Sequence, residues 1–471
     1  MDSSETTRSA ATATDGWLAV EPSQDDIGEI IVYDSFGLDL IEGIENVQRY
    51  NKGGYHPVHL DDIIDGRFEV VHKLGSGGFG IVWLCRDITT EKWRAVKIMA
   101  ADHSTKKTEE NILNRLRDRC TLKELDDNHI VVPLEQFWLE GPNGRHLCLV
   151  MPVLGMTVSD WRRNQDDHEE ETGVEAKNVC SQIIQSLSFL HSHGICHGDF
   201  KPANILMKID GIDDFSKDEI IEMMGDPDCY EFGTASGQPL TSRAPEYCVC
   251  APGQYWSKEL STKSIAVIDF GESFFIENPP ESTGIPSQYG APEVLFGAET
   301  SLGYPSDVWS LACTLFEVRT DGQLFRPLDN DGFKGTIQQM EFYVGPLPQR
   351  YQKAYLEMYR RARGRSPANE QSKETHSTTS DALPKMELKP ITWKLDDFTK
   401  ERNEFIEGTG YLDIFEAALG REFTGYRSSE TFKYRYPRED VLELADLLRK
   451  MLKYNPTDRI NVDAIMAVTK T

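Results

Sequence analysis

Ile195 to Leu206 reads I-C-H-G-D-F-K-P-A-N-I-L, and the rest of the chain is best read outward from it. A carboxylate, Asp199, stands two residues before Lys201 and five before Asn204, between a helix-patterned segment ending near Gly194 and a short apolar run. In a phosphoryl-transfer site these three side chains would be a base for a hydroxyl proton, a cation over the migrating group and a neutral Mg²⁺ ligand. An ordinary polar turn has no need of all three at this spacing.

Downstream, A-V-I-D-F-G delivers Asp269 at the end of an apolar strand. Magnesium takes hard oxygen ligands and commonly only one or two carboxylates, so Asp269 is the matching metal candidate beside Asn204. Upstream, L-G-S-G-G-F-G-I-V places glycines at 75, 77, 78 and 80 between two β-patterned runs. Backbone without Cβ atoms can approach phosphates closely, although an ordinary hairpin uses the same residues. Seventeen residues after Gly80 comes Lys97, flanked by Ala95, Val96 and Ile98. A lysine on a strand this apolar needs an anionic partner. Glu109 or Glu110 of the next helical segment can supply it, and Glu109 fits better because Ile112 and Leu113 then fall on the apolar positions.

Periodicity organises the remainder. RFEVVHKL, IVWLCRD, EKWRAVKIM, HIVVPLEQFWLE and HLCLVMPVL alternate or run apolar like strands, with one helix at Thr108 to Leu116, which predicts a small antiparallel sheet. Beyond Gly155 the pattern turns helical, as in VCSQIIQSLSFLHSHG and DVWSLACTLFEV. The fold class is therefore α+β. Residues 1–50 read as a polar leader in which Ile30 to Tyr33 and Leu38 to Ile41 have docking potential. The stretches 211–261 and 364–380, crowded with Gly, Pro, Asp and Ser, read as loops or insertions.

The 471 residues carry 77 acidic and 50 basic side chains, a net charge of −27, which disfavours nucleic acid and anionic lipid and favours a basic partner. No apolar run is long enough to span a bilayer. The start of the chain lacks the basic-then-apolar pattern of a signal peptide. Nine cysteines without a C-x-x-C pair argue against a disulfide framework, so a cytosolic or nuclear setting is expected.

With A-P-E at Ala291 to Glu293, S-D-V-W-S-L containing Asp307, and N-P-T-D-R ending in Arg459, the ordered set resembles the eukaryotic protein kinase superfamily from Arg67 to about Met466. Finer features resemble the SR-protein kinase family, a short-spacer fungal-type member of the CMGC group. These are K-G-G-Y-H-P-V before the glycine loop, V-W-L-C-R-D after it, G-P-N-G-R-H, V-L-G at 153 to 155, and Q-Q-M-E-F-Y-V-G-P-L-P. In that family a spacer splits the domain ahead of D-F-G, and here Asp269 follows Asn204 by 65 positions.

The resemblance implies a bilobal kinase fold, with an N-lobe at 51–154 and a C-lobe at 155–471, and a monomer using ATP and Mg²⁺. Its implied substrates are serines of arginine/serine-rich splicing proteins. It also implies nucleotide contacts from Gly75, Gly77 and Gly80. Leu74, Val82 and Ala95 would lie above the adenine and Leu206 below it, with Met151 as gatekeeper and hinge hydrogen bonds from the Pro152 carbonyl and the Leu154 amide. Lys97 with Glu109 would position the phosphates, Glu293 and Arg459 would form a buried ion pair, and Asp307 would brace the catalytic loop.

Three departures qualify it. Gly198 stands where most kinases carry the arginine that grips an activation-loop phosphate, so activity is expected without phosphorylation at Ser282 or Thr283. Gly290 replaces a frequent arginine of the substrate loop. The chain ends at Thr471 without a His-Pro-Trp-like close, so a shortened last helix is expected. Two other readings stand beside the protein-kinase one. H-G-D with Asn five residues on also resembles aminoglycoside and choline kinases, which lack the A-P-E segment and the D-V-W-S-L helix. A catalytically inactive scaffold is the other, although Lys97, Asp199, Asn204 and Asp269 are all present.

Overall fold

The structure is a computed structural model that describes residues 30–32, 43–104, 107–165, 169–234, 236–237, 239–297, 302–327, 332–364, 395–407, 409, 411–420, 423–427, 430–434 and 436–469. A six-stranded antiparallel sheet forms the first half, in the order Ile63–Ile64, Phe68–Gly77, Gly80–Asp87, Lys92–Met99, Gly144–Met151, Glu135–Gly141. Paired residues of neighbouring strands share a face. The register Gly75↔Val82, Val82↔Lys97, Leu84↔Ala95 and Ala95↔Met151 therefore lines Val82, Ala95, Lys97 and Met151 along one side. The opposite side buries Val70, Ile81, Trp83, Val96, Ile98, Cys148 and Val150 in one cluster.

The strand patterns hold with two corrections. Phe68–Gly77 continues through the first glycines, because Gly77 pairs with Gly80 across the tight turn. HIVVP is not strand: Ile130 makes one isolated bridge to Val267, and pairing resumes only at Glu135, beyond Pro133, which has no N–H to give a ladder. The helix Lys107–Arg119 turns Ile112, Leu113 and Leu116 into the large core beneath the sheet.

That core belongs to the helical half. Helix Glu169–Ser192 spans 24 residues, and Tyr304–Thr320 is buried on all sides from Asp307 onward, its polar residues Asp307, Ser310, Thr314, Glu317 and Arg319 included. Further helices are Pro292–Phe296, Gly332–Val344, Gln349–Gly364, Leu395–Glu407, Ile414–Gly420, Arg438–Met451 and Val462–Thr469. A small sheet, Ser261–Val267, Ile205–Ile209, Leu154–Thr157, joins the halves. No helix of the described residues is long and apolar enough to cross a membrane.

The loop reading of 211–261 needs correction. This stretch carries helix Lys217–Met224, with Ser216 and Glu219 forming a capping box, and strands Cys229–Thr234 and Tyr247–Val249. Ile212, Ile220 and Met224 pack against Val71, Leu84, Trp93 and Val153, while Asp213 accepts a hydrogen bond from the Trp93 amide at 2.7 Å. The leader reading is likewise revised in part. Strand Ile30–Val32 pairs antiparallel with Cys229–Thr234, so leader and insertion form one three-stranded sheet. Glu45 and Tyr50 are buried, with the Lys73 ammonium donating to the Glu45 carboxylate. Leu38 to Ile41 and the polar stretch after Gly364 lie outside the described residues.

Candidate active site

The catalytic-loop stretch enters on strand Ile195–Cys196, which pairs with Phe274–Phe275. It leaves through a 3-10 turn, Pro202–Asn204, started by a proline that fits a first-turn position, and continues into strand Ile205–Ile209. Asp307 braces the loop as expected: its Oδ2 accepts from the His197 amide at 2.8 Å and its Oδ1 from the Gly198 amide at 3.0 Å. His191 Nε2 also lies 3.0 Å from Oδ2. Gly198 has φ +77°, and a Cβ there would come within 2.2 Å of the Glu272 carbonyl oxygen. Only glycine fits, so the absent arginine is a steric requirement of this loop.

Asp199, Lys201 and Asn204 converge. Oδ2 of Asp199 accepts from Lys201 Nζ at 2.6 Å and from Asn204 Nδ2 at 2.9 Å, and Nδ2 also donates to the Asp199 carbonyl at 2.8 Å. The other carboxylate oxygen, Oδ1, is buried and has no hydrogen-bond partner. A buried acceptor left open is costly in a folded protein, and such atoms concentrate where a substrate will supply the donor.

Asp269 has φ +66°, rare for a residue with a side chain and typical of a functional position. Its Oδ1 accepts from Lys97 Nζ at 2.9 Å. The residue immediately before it, Ile268, donates its amide to the Asn204 carbonyl at 3.0 Å, which ties the two metal candidates together through the backbone. Burial raises the Asp269 carboxyl, but the Lys97 charge and hydrogen bond outweigh it, with His197 and Lys201 adding to the same side, so the group is held below its ordinary value. Lys97 is held above its own: burial opposes the charge, and Asp269 and Glu109 prevail.

Glu109 is the buried member of its pair, 8 % exposed. The direct bond of Lys97 nevertheless goes to Asp269, not to Glu109 as expected, and Glu109 Oε2 is buried without a partner. Two carboxylates compete for one ammonium here. Burial and the nearby Asp269 push the Glu109 carboxyl up, and Lys97 recovers only part of that.

Val82, Ala95, Lys97 and Met151 share the sheet face that looks toward this cluster, with Leu74, Met151, Pro152, Leu154 and Leu206 half-buried. Leu74 also packs against the cluster that holds Ile212 and Ile220 of the insertion. At Gly75 and Gly77 a Cβ would meet nothing within 4 Å, whereas at Gly80 it would come within 2.3 Å of the Ile98 carbonyl. Gly80 is thus needed by the hairpin, and the other two keep the loop bare.

Several contributors escaped the sequence reading. Ser273 Oγ donates to the His197 carbonyl at 2.8 Å, and the His197 ring packs edge-on to Phe200 and tilted against Phe270. Arg115 lies over the Phe275 ring, 4.4 Å from its centroid, linking helix Lys107–Arg119 to the segment after D-F-G. Apart from that of His197 with Phe200, these contacts join residues far apart in the chain and have no local pattern. The acidic run at 166–171 falls partly outside the described residues, and its last three members open helix Glu169–Ser192.

Comparison with known proteins agrees with this geometry. The protein kinase domain family matches residues 68–221 and 258–469, and the gap falls within the insertion. The "Serine/threonine-protein kinase SRPK" of Physarum polycephalum is 25% identical over 432 residues, 88% of either chain. "SRSF protein kinase 3" of Homo sapiens is 36% identical over 167 residues, covering 35% of this chain and 29% of that protein. "Protein kinase dsk1" of Schizosaccharomyces pombe is 36% identical over 183 residues, 37% of this chain and 33% of that one. The higher-identity matches thus span about a third of those relatives. A solved kinase-domain structure covers 87% of this chain and 97% of its own with a TM-score of 0.50 at 20% identity, which speaks for the fold. The chain belongs to the protein kinase family, and kinases bearing the SRPK and SRSF names are among the relatives it resembles.

Proposed function

We propose that this serine/threonine kinase transfers the γ-phosphoryl group of ATP to serine hydroxyls in arginine/serine-rich protein segments. The observation that carries the reading is the buried, unpartnered Asp199 Oδ1 beside Lys201 and Asn204. In this reading Asp199 Oδ1 accepts the substrate hydroxyl proton and aligns the oxygen for attack. Lys201, already anchored on Asp199 Oδ2, offers its charge to the migrating group. Asn204, with its Nδ2 engaged twice, keeps its amide oxygen for a cation, and Asp269 supplies the carboxylate. Bound Mg²⁺ would neutralise charge developing on the phosphate oxygens. Lys97 and the bare glycine loop hold the nucleotide, with Leu74, Val82, Ala95 and Leu206 around the base and Met151, Pro152 and Leu154 at the hinge. The lobes divide at about residues 51–154 and 155–471.

The substrate class rests on the names of the relatives and on the charge of −27. An acidic protein attracts an arginine-rich peptide and speeds its capture. The test offers the purified chain ATP with magnesium and one of three acceptors: an Arg-Ser peptide, a plain basic protein or an aminocyclitol. The Arg-Ser peptide is expected to win, with its KM rising several-fold as salt goes from about 50 to 300 mM. Transfer to the aminocyclitol alone would mark a small-molecule kinase, and nucleotide binding without transfer would mark a scaffold.

Activity is also proposed to be independent of activation-loop phosphate. Thr283 Oγ1 is buried, and the place where an arginine would begin at 198 is filled by the Glu272 carbonyl. Glu272 itself accepts the Gly284 amide at 2.7 Å, so this segment is held without a phosphate. A Ser282→Ala/Thr283→Ala variant is expected to keep kcat/KM within about threefold of the parent. Abolished activity refutes the idea.

A further inference from the structure

The K-G-G-Y stretch at 52 to 55 has so far only marked a resemblance, and its geometry gives it a task. Arg49 Nη1 donates to the Gly78 carbonyl at 3.1 Å, and Tyr55 Oη donates to the Gly77 carbonyl at 2.9 Å. Both acceptors are consecutive peptide carbonyls at the tip of the glycine loop. The two donors are held rigidly. Arg49 Nη2 bonds both carboxylate oxygens of Asp102 at 3.0 Å, and its guanidinium lies 5.1 Å from the Tyr55 ring centroid. The Tyr55 ring is buried in the cluster on the outer face of the sheet, with Trp83 and Ile81.

The turn that brings them together requires its glycines. Tyr55 N donates to the Arg49 carbonyl at 2.8 Å, and a Cβ on Gly54 would lie 1.8 Å from that same oxygen. Gly53 has φ +90°, and its amide and carbonyl fasten the turn to Asn143 and Asp102.

In a trans peptide the C=O and N–H point in opposite directions. Pinning the Gly77 and Gly78 carbonyls from the outer face therefore turns the Gly78 and Phe79 amides toward the face that carries Val82 and Lys97. A loop of glycines would otherwise sample many orientations, and fixing it in advance spares that entropy when an anion binds.

We propose that Arg49 and Tyr55 are positioning residues that pre-orient the glycine-loop amides toward the nucleotide phosphates, so that a segment outside the kinase sheet sets nucleotide affinity. This rests on the reading of the loop as an ATP site. Tyr55→Phe removes one hydroxyl and leaves the buried ring, and Arg49→Ala removes the clamp at its half-exposed end. Each is expected to raise KM for ATP about fivefold while KM for the Arg-Ser peptide stays constant, with faster hydrogen exchange at amides 77–80. Arg49→Lys should recover part of the loss, since one ammonium can still reach a carbonyl. A purely structural role would lower thermal stability and leave KM for ATP and loop exchange unchanged, and that result in both variants overturns the proposal. Wild-type transfer to peptide that Lys97→Met abolishes shows the ATP reading intact, so an unchanged KM then counts against the Arg49 and Tyr55 clamp alone. If wild type and Lys97→Met both fail to transfer phosphate, the ATP reading and the clamp fall together.

Discussion

Replacing Asp199 with alanine is expected to cut turnover by about 10³-fold or more while ATP affinity changes little. The alanine removes a buried oxygen that has no partner in the resting protein, and with it the acceptor for the substrate proton. It also removes an acceptor from Lys201 and one from Asn204. Asn204 keeps its second bond, from Nδ2 to the main-chain carbonyl of residue 199, and its own carbonyl remains tied to the Ile268 amide. Asp269 and Lys97 are untouched, so the groups assigned to the nucleotide stay in place. Asp199→Asn sharpens the experiment. It preserves shape and an acceptor oxygen but cannot take up a proton at neutral pH, and it should be nearly as slow as alanine. Steady-state kcat and KM with the peptide, together with direct ATP titration, decide the matter. Turnover within about tenfold of wild type in either variant would sink the role given to Asp199.

Residue spacing made this centre legible before the fold was known, because phosphoryl transfer needs particular groups at short, fixed separations. Asp199, Lys201 and Asn204 are close in sequence, and one loop suffices to gather them. Lys97 and Asp269 are 172 positions apart, and their contact follows from two strands ending at one cleft. The sequence could show that Lys97 needed an anion. It could not rank Asp269 against Glu109, since that ranking depends on how two buried carboxylates share one ammonium. Apolar, β-branched and aromatic runs marked the strands well where both faces are covered, as in Gly80–Asp87, and misled at HIVVP, where apolar residues fill the core from irregular backbone. The insertion misled for a different reason. Its Gly, Pro and Asp content is that of a loop, while Ile212, Ile220, Phe232, Cys248 and Val249 are spaced too irregularly to announce that they cover the sheet. The leader strand Ile30–Val32 finds its partner some 200 residues away, beyond the reach of any local pattern.

The buried ion pair between Glu293 and Arg459 carries the other large expectation. Arg459 grips both carboxylate oxygens, Nη1 to Oε1 at 2.6 Å and Nη2 to Oε2 at 2.8 Å, and the two side chains are 1 % exposed or less. Further hydrogen bonds hold both partners: Nη1 also donates to the Pro305 carbonyl, Nε to the Lys453 carbonyl, and Ser306 Oγ to Glu293 Oε1. The guanidinium lies over the Trp309 ring, 5.1 Å from its centroid. Desolvating two charges costs about as much as their attraction returns, so the pair as a whole adds little net stability, but either partner alone is a buried charge without a counterion. Arg459→Met should therefore destabilise the protein by about 3–5 kcal/mol in denaturant titration. Adding Glu293→Met should recover more than half of that loss, because it removes the stranded carboxylate. The stability returns without the function: the pair anchors the Ala291 to Glu293 segment to the far end of the helical half, so the double variant should fold and still show a raised KM for peptide. A single substitution costing under about 1 kcal/mol, or a double variant no more stable than Arg459→Met, would mean that the pair is not the fully desolvated clamp its geometry describes.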